Sequence, residues 1–271
     1  MNRNLICIDS DGCAVNSMEI KHRKAFATEL VKTFSLEKME DIVRKQWMRI
    51  NLYSKTRGFN RFLTLDMTFD ALKKDKLIDY DTSELKKWID STDALSNDSL
   101  YSYLKANYNQ FLENVYKWSL AVNKAISEIP EEEISAFPLC RESMADAYSH
   151  FDIVVMSSAN YSAVEKEWKR LGMIQYVKKI FCQENGSKTD CLKQCIEMGY
   201  RPENMIMCGD SPGDYDAATT VKVSFFPILV GNERNSWGLF REKVVNNPDG
   251  MNWIVNSQIS LAESFWKNLA R

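Results

Sequence analysis

The sequence contains only two histidines, His22 and His150, and it lacks the motifs of several common enzyme classes. Two histidines cannot form a three-histidine metal site. The glycine-rich signatures of dinucleotide-binding proteins and of P-loop nucleotidases are also absent. These absences remove support for three frequent functional classes.

Long apolar runs and a strong net charge are missing too. No run approaches the ~20 apolar residues that a membrane span requires, and the apolar stretch near the N-terminus is too short for a signal peptide. The 35 basic and 37 acidic residues leave a net charge of −2, which does not favour nucleic acid or an anionic membrane as a partner. A small anionic substrate would need local positive charge.

The spacing of the cysteines does not indicate a disulfide framework. There are seven in 271 residues, and an odd number scattered over a long chain without a Cys-x-x-Cys pair is not typical of disulfide-bonded proteins. We therefore expect reduced thiols and a cytoplasmic protein.

Short apolar runs indicate strands of a parallel sheet. They are Leu5–Ile8, Ile153–Met156, Lys179–Cys182, Met205–Cys208 and Val223–Val230. Uninterrupted apolar strands that alternate with helical patterns are typical of sheets covered on both faces. We predict an α/β fold with a Rossmann-like, doubly wound parallel sheet. Pro227 interrupts the last run and indicates an edge strand or a bend.

The segment between the first two runs has a different character. Helical patterns rich in tryptophan and tyrosine follow one another there without a convincing strand, and the segment is too long for a crossover connection. We predict an inserted helical domain, residues 17–129, and a catalytic core formed by residues 1–16 and 130–271. The return linker is Ser127–Pro138, where proline and successive acids interrupt the pattern.

The candidate functional residues follow the predicted strands, at the edge where parallel α/β sheets bind ligands. They are Asp9, Asp11 and Gly12 after the first strand, Ser157 and Ser158 after the second, Lys188 after the third, and Asp210 and Asp214 after the fourth. Carboxylates are ligands that Mg²⁺ prefers, and lysine neutralises anionic charge. The pattern predicts phosphoryl transfer assisted by Mg²⁺.

Residue type also suggests a role for each group. Asp9 can attack phosphorus and, with Asp210, can ligate Mg²⁺. Asp11 can protonate the leaving oxygen and then activate water. Ser157, together with backbone N–H groups near a helix start, can hold phosphoryl oxygens. Gly12 permits a sharp turn beside the substrate.

The lysine has rivals. Lys178 and Lys179 lie close to the same strand, and either could supply the positive charge. Lys188 is preferred because Gly186 and Ser187 precede it as a turn and a helix cap.

In this order the motifs resemble the haloacid dehalogenase-like superfamily. Asp9-Ser10-Asp11-Gly12 matches its first motif, Ser157 its second, Lys188 its third and Gly209–Asp214 its fourth. The helical insertion after the first motif resembles the C1-type cap of the β-phosphoglucomutase and phosphoglycolate phosphatase branch.

The resemblance implies a Mg²⁺-dependent phosphatase that forms an aspartyl-phosphate from a small phosphorylated metabolite. It also implies that the main-chain carbonyl of Asp11 ligates the metal, while Asp214 ligates it directly or through water. The dehalogenase and phosphonatase branches lack an acid at the Asp11 position, so haloacid dehalogenation is not expected.

Substrate specificity in this superfamily comes from the cap. Lys55, Arg57 and Arg61 surround Gly58 in a stretch that resembles the specificity loop Gly-x-Ser-Arg of the phosphoglucomutase branch, with Arg61 in the arginine position. The resemblance implies that these basic residues meet a substrate anion when the cap closes.

Three alternatives stay open. One is a phosphosugar mutase, although the position of that branch's cap histidine is occupied by Lys21, with His22 one residue later. The second is a binding module with vestigial catalysis. The third is a receiver-type phospho-acceptor, which would not carry the long insertion. The sequence does not indicate an oligomeric state.

Overall fold

The computed structural model describes residues 3–270. The chain forms two compact units: a core unit, Met1–Met18 with Ile134–Arg271, and a helical unit, Glu19–Glu133. These junctions lie two and four residues after the boundaries predicted from the sequence.

The core unit contains a parallel sheet of five strands in the order β3-β2-β1-β4-β5. The strands are β1 (Asn4–Asp9), β2 (Phe151–Met156), β3 (Lys179–Phe181), β4 (Met205–Gly209) and β5 (Ser224–Pro227). The central strand β1 pairs in parallel with β2 on one side and β4 on the other. The predicted α/β fold with a parallel sheet is confirmed.

Two predicted strands are longer than the observed ones. The last ends at Pro227, at the edge of the sheet, so the predicted extension to Val230 is wrong. The third ends at Phe181, because the N–H of Cys182 donates to the Asn185 side chain and begins a short 3₁₀ turn.

The helical unit is built from seven α-helices within the described residues. They are α1 (Met18–Lys21), α2 (Ala27–Thr33), α3 (Glu40–Leu52), α4 (Arg61–Lys74), α5 (Ser83–Ser91), α6 (Asn97–Ala106) and α7 (Gln110–Ser127). A π-helical turn, His22–Phe26, joins α1 to α2. Asparagine or serine side chains cap α4, α6 and α7 by accepting a backbone N–H, which explains why these helices begin where they do.

Seven further helices accompany the sheet in the described part of the chain. They are α8 (Cys140–Ala147), α9 (Tyr161–Arg170), α10 (Lys188–Glu197), α11 (Pro212–Thr220), α12 (Glu233–Phe240), α13 (Gly250–Asn256) and α14 (Gln258–Asn268). Alternate residues of β1, such as Ile6 and Ile8, share one hydrophobic cluster with Trp168 of α9 and Trp237 of α12. The sheet thereby holds its strand ends in fixed positions.

Each unit has its own hydrophobic core. In the helical unit Trp47, Trp88 and Trp118 are buried to 1% exposure or less, and the surrounding cluster consists of residues of that unit. Burying a large apolar side chain contributes about 1.5–3 kcal/mol relative to leaving it exposed. None of the helices within residues 3–270 has both the length and the apolar character of a membrane crossing.

Candidate active site

Three aspartates meet at the carboxyl edge of the sheet. Asp9 ends β1 and Asp210 follows the neighbouring strand β4, so the parallel pairing brings both to the same edge. Asp214 lies in the first turn of α11. One carboxylate oxygen from each lies within 4.8 Å of the others, and the three residues are 6%, 1% and 0% exposed in chain order.

Lys188 supplies a cation to this cluster. Its Nζ lies 2.7 Å from Oδ1 of Asp9 and also donates a hydrogen bond to Asp214. Burial alone would lower the pKa of Lys188, but the carboxylates of Asp214 and Asp9 raise it above its usual range. The ammonium group therefore stays charged at neutral pH.

The start of α10 positions this lysine. Ser187 caps the helix by accepting the N–H of Asp190, and the Asp190 carboxylate accepts the N–H of Ser187 in return. The rival lysines lie elsewhere: Lys178 binds Asp152 at the start of β2, and the Nζ of Lys179 lies 4.3 Å from the centre of the Phe181 ring. Lys188 is the one placed against Asp9.

Asp214 organises the turn between β4 and α11. Its Oδ2 accepts hydrogen bonds from the backbone N–H groups of Asp210 and Ser211 and from the Ser211 hydroxyl. The Asp214 side chain has room here only because residue 209 is a glycine: a Cβ at that position would lie 2.3 Å from Cβ of Asp214. The side chain thus connects the turn to Lys188.

Burial dominates the electrostatics of Asp9. It raises the pKa of Asp9 well above its usual range; Lys188 opposes this rise, and the carboxylates of Asp214 and Asp210 add to it. The three clustered carboxylates carry more negative charge than the single lysine beside them can neutralise. A hard cation that prefers carboxylate oxygens would supply it, so the donor set suits Mg²⁺.

Asp11 lies in the loop after β1, residues 10–17. Gly12 adopts a φ of +88°, which a residue with a side chain rarely takes. The backbone N–H groups of Cys13, Ala14 and Val15 all donate to the carbonyl of Ser10, which makes the loop compact.

A buried serine orients the Asp11 carboxylate. The hydroxyl of Ser17 donates to Oδ1 of Asp11, and Ser17 is 0% exposed. The sequence analysis did not select Ser17, although this serine lies only six residues after Asp11 in the chain.

The second strand delivers a serine to the same edge. Met156 of β2 is aligned with Asp9 in the sheet, and Ser157 follows it. Ser157 is 7% exposed; its N–H donates to Phe181, and its hydroxyl accepts the N–H of Ala159. Ser158, the next residue, is exposed.

The predicted specificity residues belong to the helical unit. Lys55 is exposed, whereas Arg57 is 3% exposed and donates to the carbonyl of Leu52. Nη1 of Arg61 donates to Asn123 at 2.7 Å and to Ser119, and burial lowers the pKa of Arg61. Both arginines therefore already make contacts within their own unit.

The fold defines a broad class: α/β proteins with a parallel sheet, whose ligands bind at the carboxyl edge of that sheet. Within it, the chain belongs to the haloacid dehalogenase-like hydrolases, because the profile of that family matches residues 62–228. The matched segment contains Ser157, Lys188, Asp210 and Asp214 and leaves Asp9 outside.

Several solved structures resemble this one. A haloacid dehalogenase-like hydrolase from Xanthomonas campestris is 12% identical, with 97% of this chain and 93% of that chain covered and a TM-score of 0.48. A predicted phosphoglycolate phosphatase from Haemophilus somnus is 15% identical, with coverages of 84% and 85% and a TM-score of 0.47. A haloacid dehalogenase-type hydrolase from Bacillus subtilis, bound to magnesium, is 11% identical, with coverages of 83% and 86% and a TM-score of 0.49.

A search of curated protein sequences gave no match.

Proposed function

We propose that the protein is a Mg²⁺-dependent phosphatase that hydrolyses a small phosphorylated metabolite through an aspartyl-phosphate. One observation carries the proposal. A buried aspartate at the end of the central strand is held 2.7 Å from a buried lysine, beside two further buried carboxylates. Such a site presents a nucleophile together with the positive charge that a phosphate ester needs to approach it.

Asp9 is the proposed nucleophile. Its carboxylate attacks phosphorus, and Lys188 offsets the negative charge that gathers on the phosphoryl oxygens. Asp9, Asp210 and the main-chain carbonyl of Asp11 would hold Mg²⁺, which neutralises phosphate charge and orients the ester when it is bound. Asp214 holds Lys188 and the turn after β4, and its contact with the metal is direct or through water.

Asp11 is the proposed acid and base. Its carboxyl group protonates the leaving oxygen in the first step and removes a proton from water in the second. Ser17 keeps this carboxylate turned to a fixed position. Ser157, Ser158 and Gly12 would border the transferred phosphoryl group, where small residues leave room for its oxygens.

The helical unit would contact the leaving group. Lys55, Arg57 and Arg61 are the basic candidates there, and an anionic leaving group, with a carboxylate or a second phosphate, is the substrate class that they would favour. We also propose a cytoplasmic site of action, which seven buried free cysteines support.

The central test is the Asp9→Asn variant, assayed on p-nitrophenyl phosphate with Mg²⁺. Turnover should vanish, because the amide cannot form the acyl-phosphate. A matched control is Asp152→Asn, which changes another buried aspartate of the core unit at the start of β2. That variant should keep its activity, and an Asp9→Asn protein with full turnover would overturn the mechanism.

The same assay separates the alternatives. Transfer of the phosphoryl group to an added sugar phosphate instead of water would identify a mutase. A wild-type protein without turnover and without Mg²⁺ affinity would be a binding module.

A screen of phosphorylated metabolites would define the substrate. Arg61→Ala and Lys55→Ala should each lower kcat/KM selectively for esters with anionic leaving groups and leave neutral ones unaffected. Equal losses on all esters would remove the specificity role of these residues.

A further inference from the structure

Two buried tryptophans from different helices hold the loop after β1. Nε1 of Trp168, in α9, donates to the hydroxyl of Ser10 at 2.8 Å. Nε1 of Trp237, in α12, donates to the carbonyl of Cys13 at 3.0 Å. Both tryptophans are 0% exposed. We call Trp168 and Trp237 the indole pair.

Packing alone does not account for the Ser10 contact. Ser10 is 1% exposed, and in the chain it stands between the two acids Asp9 and Asp11. An apolar residue would be the less costly occupant of such a position, because a buried hydroxyl needs a hydrogen-bond partner. A buried indole N–H needs one too, and the two groups satisfy each other.

The loop is also attached to the core elsewhere: Asn16 N donates to Ser135, Phe137 N donates to Ala14, and Sγ of Cys13 donates to the carbonyl of Cys208. Its backbone hydrogen bonds onto the Ser10 carbonyl set its internal shape. The indole pair ties two points of that shape, Ser10 and Cys13, to helices that pack in the same hydrophobic cluster. Asp11 lies between these two points in the chain, so the two indole bonds hold the backbone on either side of it, while Ser17 holds its carboxylate.

We propose that Trp168 and Trp237 are positioning residues for Asp11 in the phosphatase reaction. The inference rests on the proposed function, since it concerns the acid and base of that reaction. Displacing a catalytic group by about 1 Å can lower a rate by about a hundredfold. The two indole N–H groups act through the loop and do not touch the substrate.

The test compares Trp168→Phe and Ser10→Ala, which remove the donor and the acceptor of one hydrogen bond. Trp237→Phe removes the second bond. The Mg²⁺-loaded enzymes are assayed on p-nitrophenyl phosphate, whose leaving group needs little protonation, and on an alkyl phosphate, whose leaving group needs it. A misplaced Asp11 should lower kcat/KM on the alkyl ester by about tenfold and on the aryl ester by less than about threefold.

The double variant Trp168→Phe with Ser10→Ala should lose no more than the worse single variant, because both changes break the same bond. Trp88→Phe is the matched control. It removes an indole N–H that donates to the hydroxyl of Ser99 at 3.2 Å within the helical unit, and Trp88 is 1% exposed. This control should leave the ratio of the two kcat/KM values unchanged.

Amide hydrogen exchange provides a readout that is independent of turnover. In Trp168→Phe and in Ser10→Ala, exchange at Cys13, Ala14 and Val15 should accelerate by about tenfold or more, while β4 keeps its protection. Unchanged exchange in the loop, or equal losses on both esters, would overturn the inference while the phosphatase proposal stands. Wild-type protein that hydrolyses neither ester would overturn the phosphatase proposal, and with it the role in catalysis assigned to the indole pair.

Discussion

At the scale of single residues, buried charge separates two kinds of carboxylate. Asp9 and Asp214 are buried but each lies against Lys188. Asp66, in the helical unit, is mostly buried as well, yet within the described part of the chain its Oδ1 has no hydrogen-bond partner and its nearest cation, Lys86, is 4.0 Å away. The first kind faces a lysine within hydrogen-bonding distance, whereas the second does not and is a local cost to stability.

Asp66→Asn should stabilise the helical unit near neutral pH. Burial raises the pKa of Asp66 to about 6, and Asp70 adds to the rise. The raised pKa means that the folded protein tolerates the protonated form of Asp66 better than the charged form. The fold is therefore most stable below the pKa of an unfolded aspartate, and it loses this stability as the pH rises through about 6. A shift of that size corresponds to at most about 3 kcal/mol above pH 7.

Urea unfolding of wild type and variant at pH 4 and pH 7.5 would measure this effect. The gain should appear at pH 7.5 and shrink at pH 4. Asp93→Asn, which removes an exposed aspartate of the same unit, should change stability by less than about 0.5 kcal/mol. An equal gain at both pH values would contradict the electrostatic explanation.

At the scale of elements, the junction of β4 and α11 allows a sharp comparison of two glycines. Gly209→Ala should lower kcat/KM by about a hundredfold or more, because the new Cβ would meet Asp214 at 2.3 Å and displace it from Lys188 and from the turn. Gly213→Ala is the control. Its Cβ would lie 3.7 Å from Ser211 Oγ, an ordinary contact in the first turn of α11, so activity should persist.

Kinetics on an aryl phosphate together with Mg²⁺ titration would check this pair. Loss of activity in both variants to the same degree would show that the helix start, and not the Asp214 position, is what matters.

A second polar cluster ties β2 to the segment before β4. Asp152 accepts hydrogen bonds from Lys178 at 2.8 Å and from the Tyr200 hydroxyl, and Arg3 lies 3.3 Å away. Burial alone would raise the pKa of Asp152, but the hydrogen bonds from Lys178 and Tyr200 lower it. The cluster therefore stabilises the fold at pH values above the ordinary pKa of an aspartate. This stability is lost as the pH falls through the lowered pKa of Asp152.

Tyr200→Phe should cost about 1–3 kcal/mol at pH 7, and the cost should diminish toward pH 3 as Asp152 becomes protonated. Denaturant unfolding across this range would measure it. The rate measured on p-nitrophenyl phosphate should not change, since Tyr200 and Asp152 lie away from the carboxyl end of β1. A cost that stays constant from pH 7 to pH 3 would contradict the charged hydrogen bond.

At the scale of the whole molecule, the two hydrophobic clusters share no member among the described residues. Val155 of β2 and Val115 of α7 are both 0% exposed, one in each cluster. Val155→Ala should lower hydrogen-exchange protection in the core unit by about 2 kcal/mol, and Val115→Ala should do the same in the helical unit. Equal losses in both units from either change would show a single cooperative structure.

Much of the fold could be predicted from local sequence signals, because the candidate functional residues directly follow the apolar runs that form the strands. The parallel sheet and the order of its motifs could be predicted, since apolar runs and the acids that end them are adjacent in the chain. The contact of Trp168 with Ser10 spans 158 positions, and no local pattern predicts a hydrogen bond of that range. The hydrogen bonds of Arg61 within the helical unit could not be predicted either, because the charge of an arginine does not indicate which side chains accept its hydrogen bonds.

The two chain crossings between the units lie side by side within the core. Val15 and Ala136 form an antiparallel bridge, Asn16 N donates to Ser135, and Phe137 N donates to Ala14. The outgoing and returning chains thus form a short ribbon, and residues 19–133 are inserted in the chain at the point where a hairpin would have its loop. In evolutionary terms this makes the insertion exchangeable: both of its ends join the core at one ribbon, so a different insertion could replace residues 19–133 without rerouting any strand.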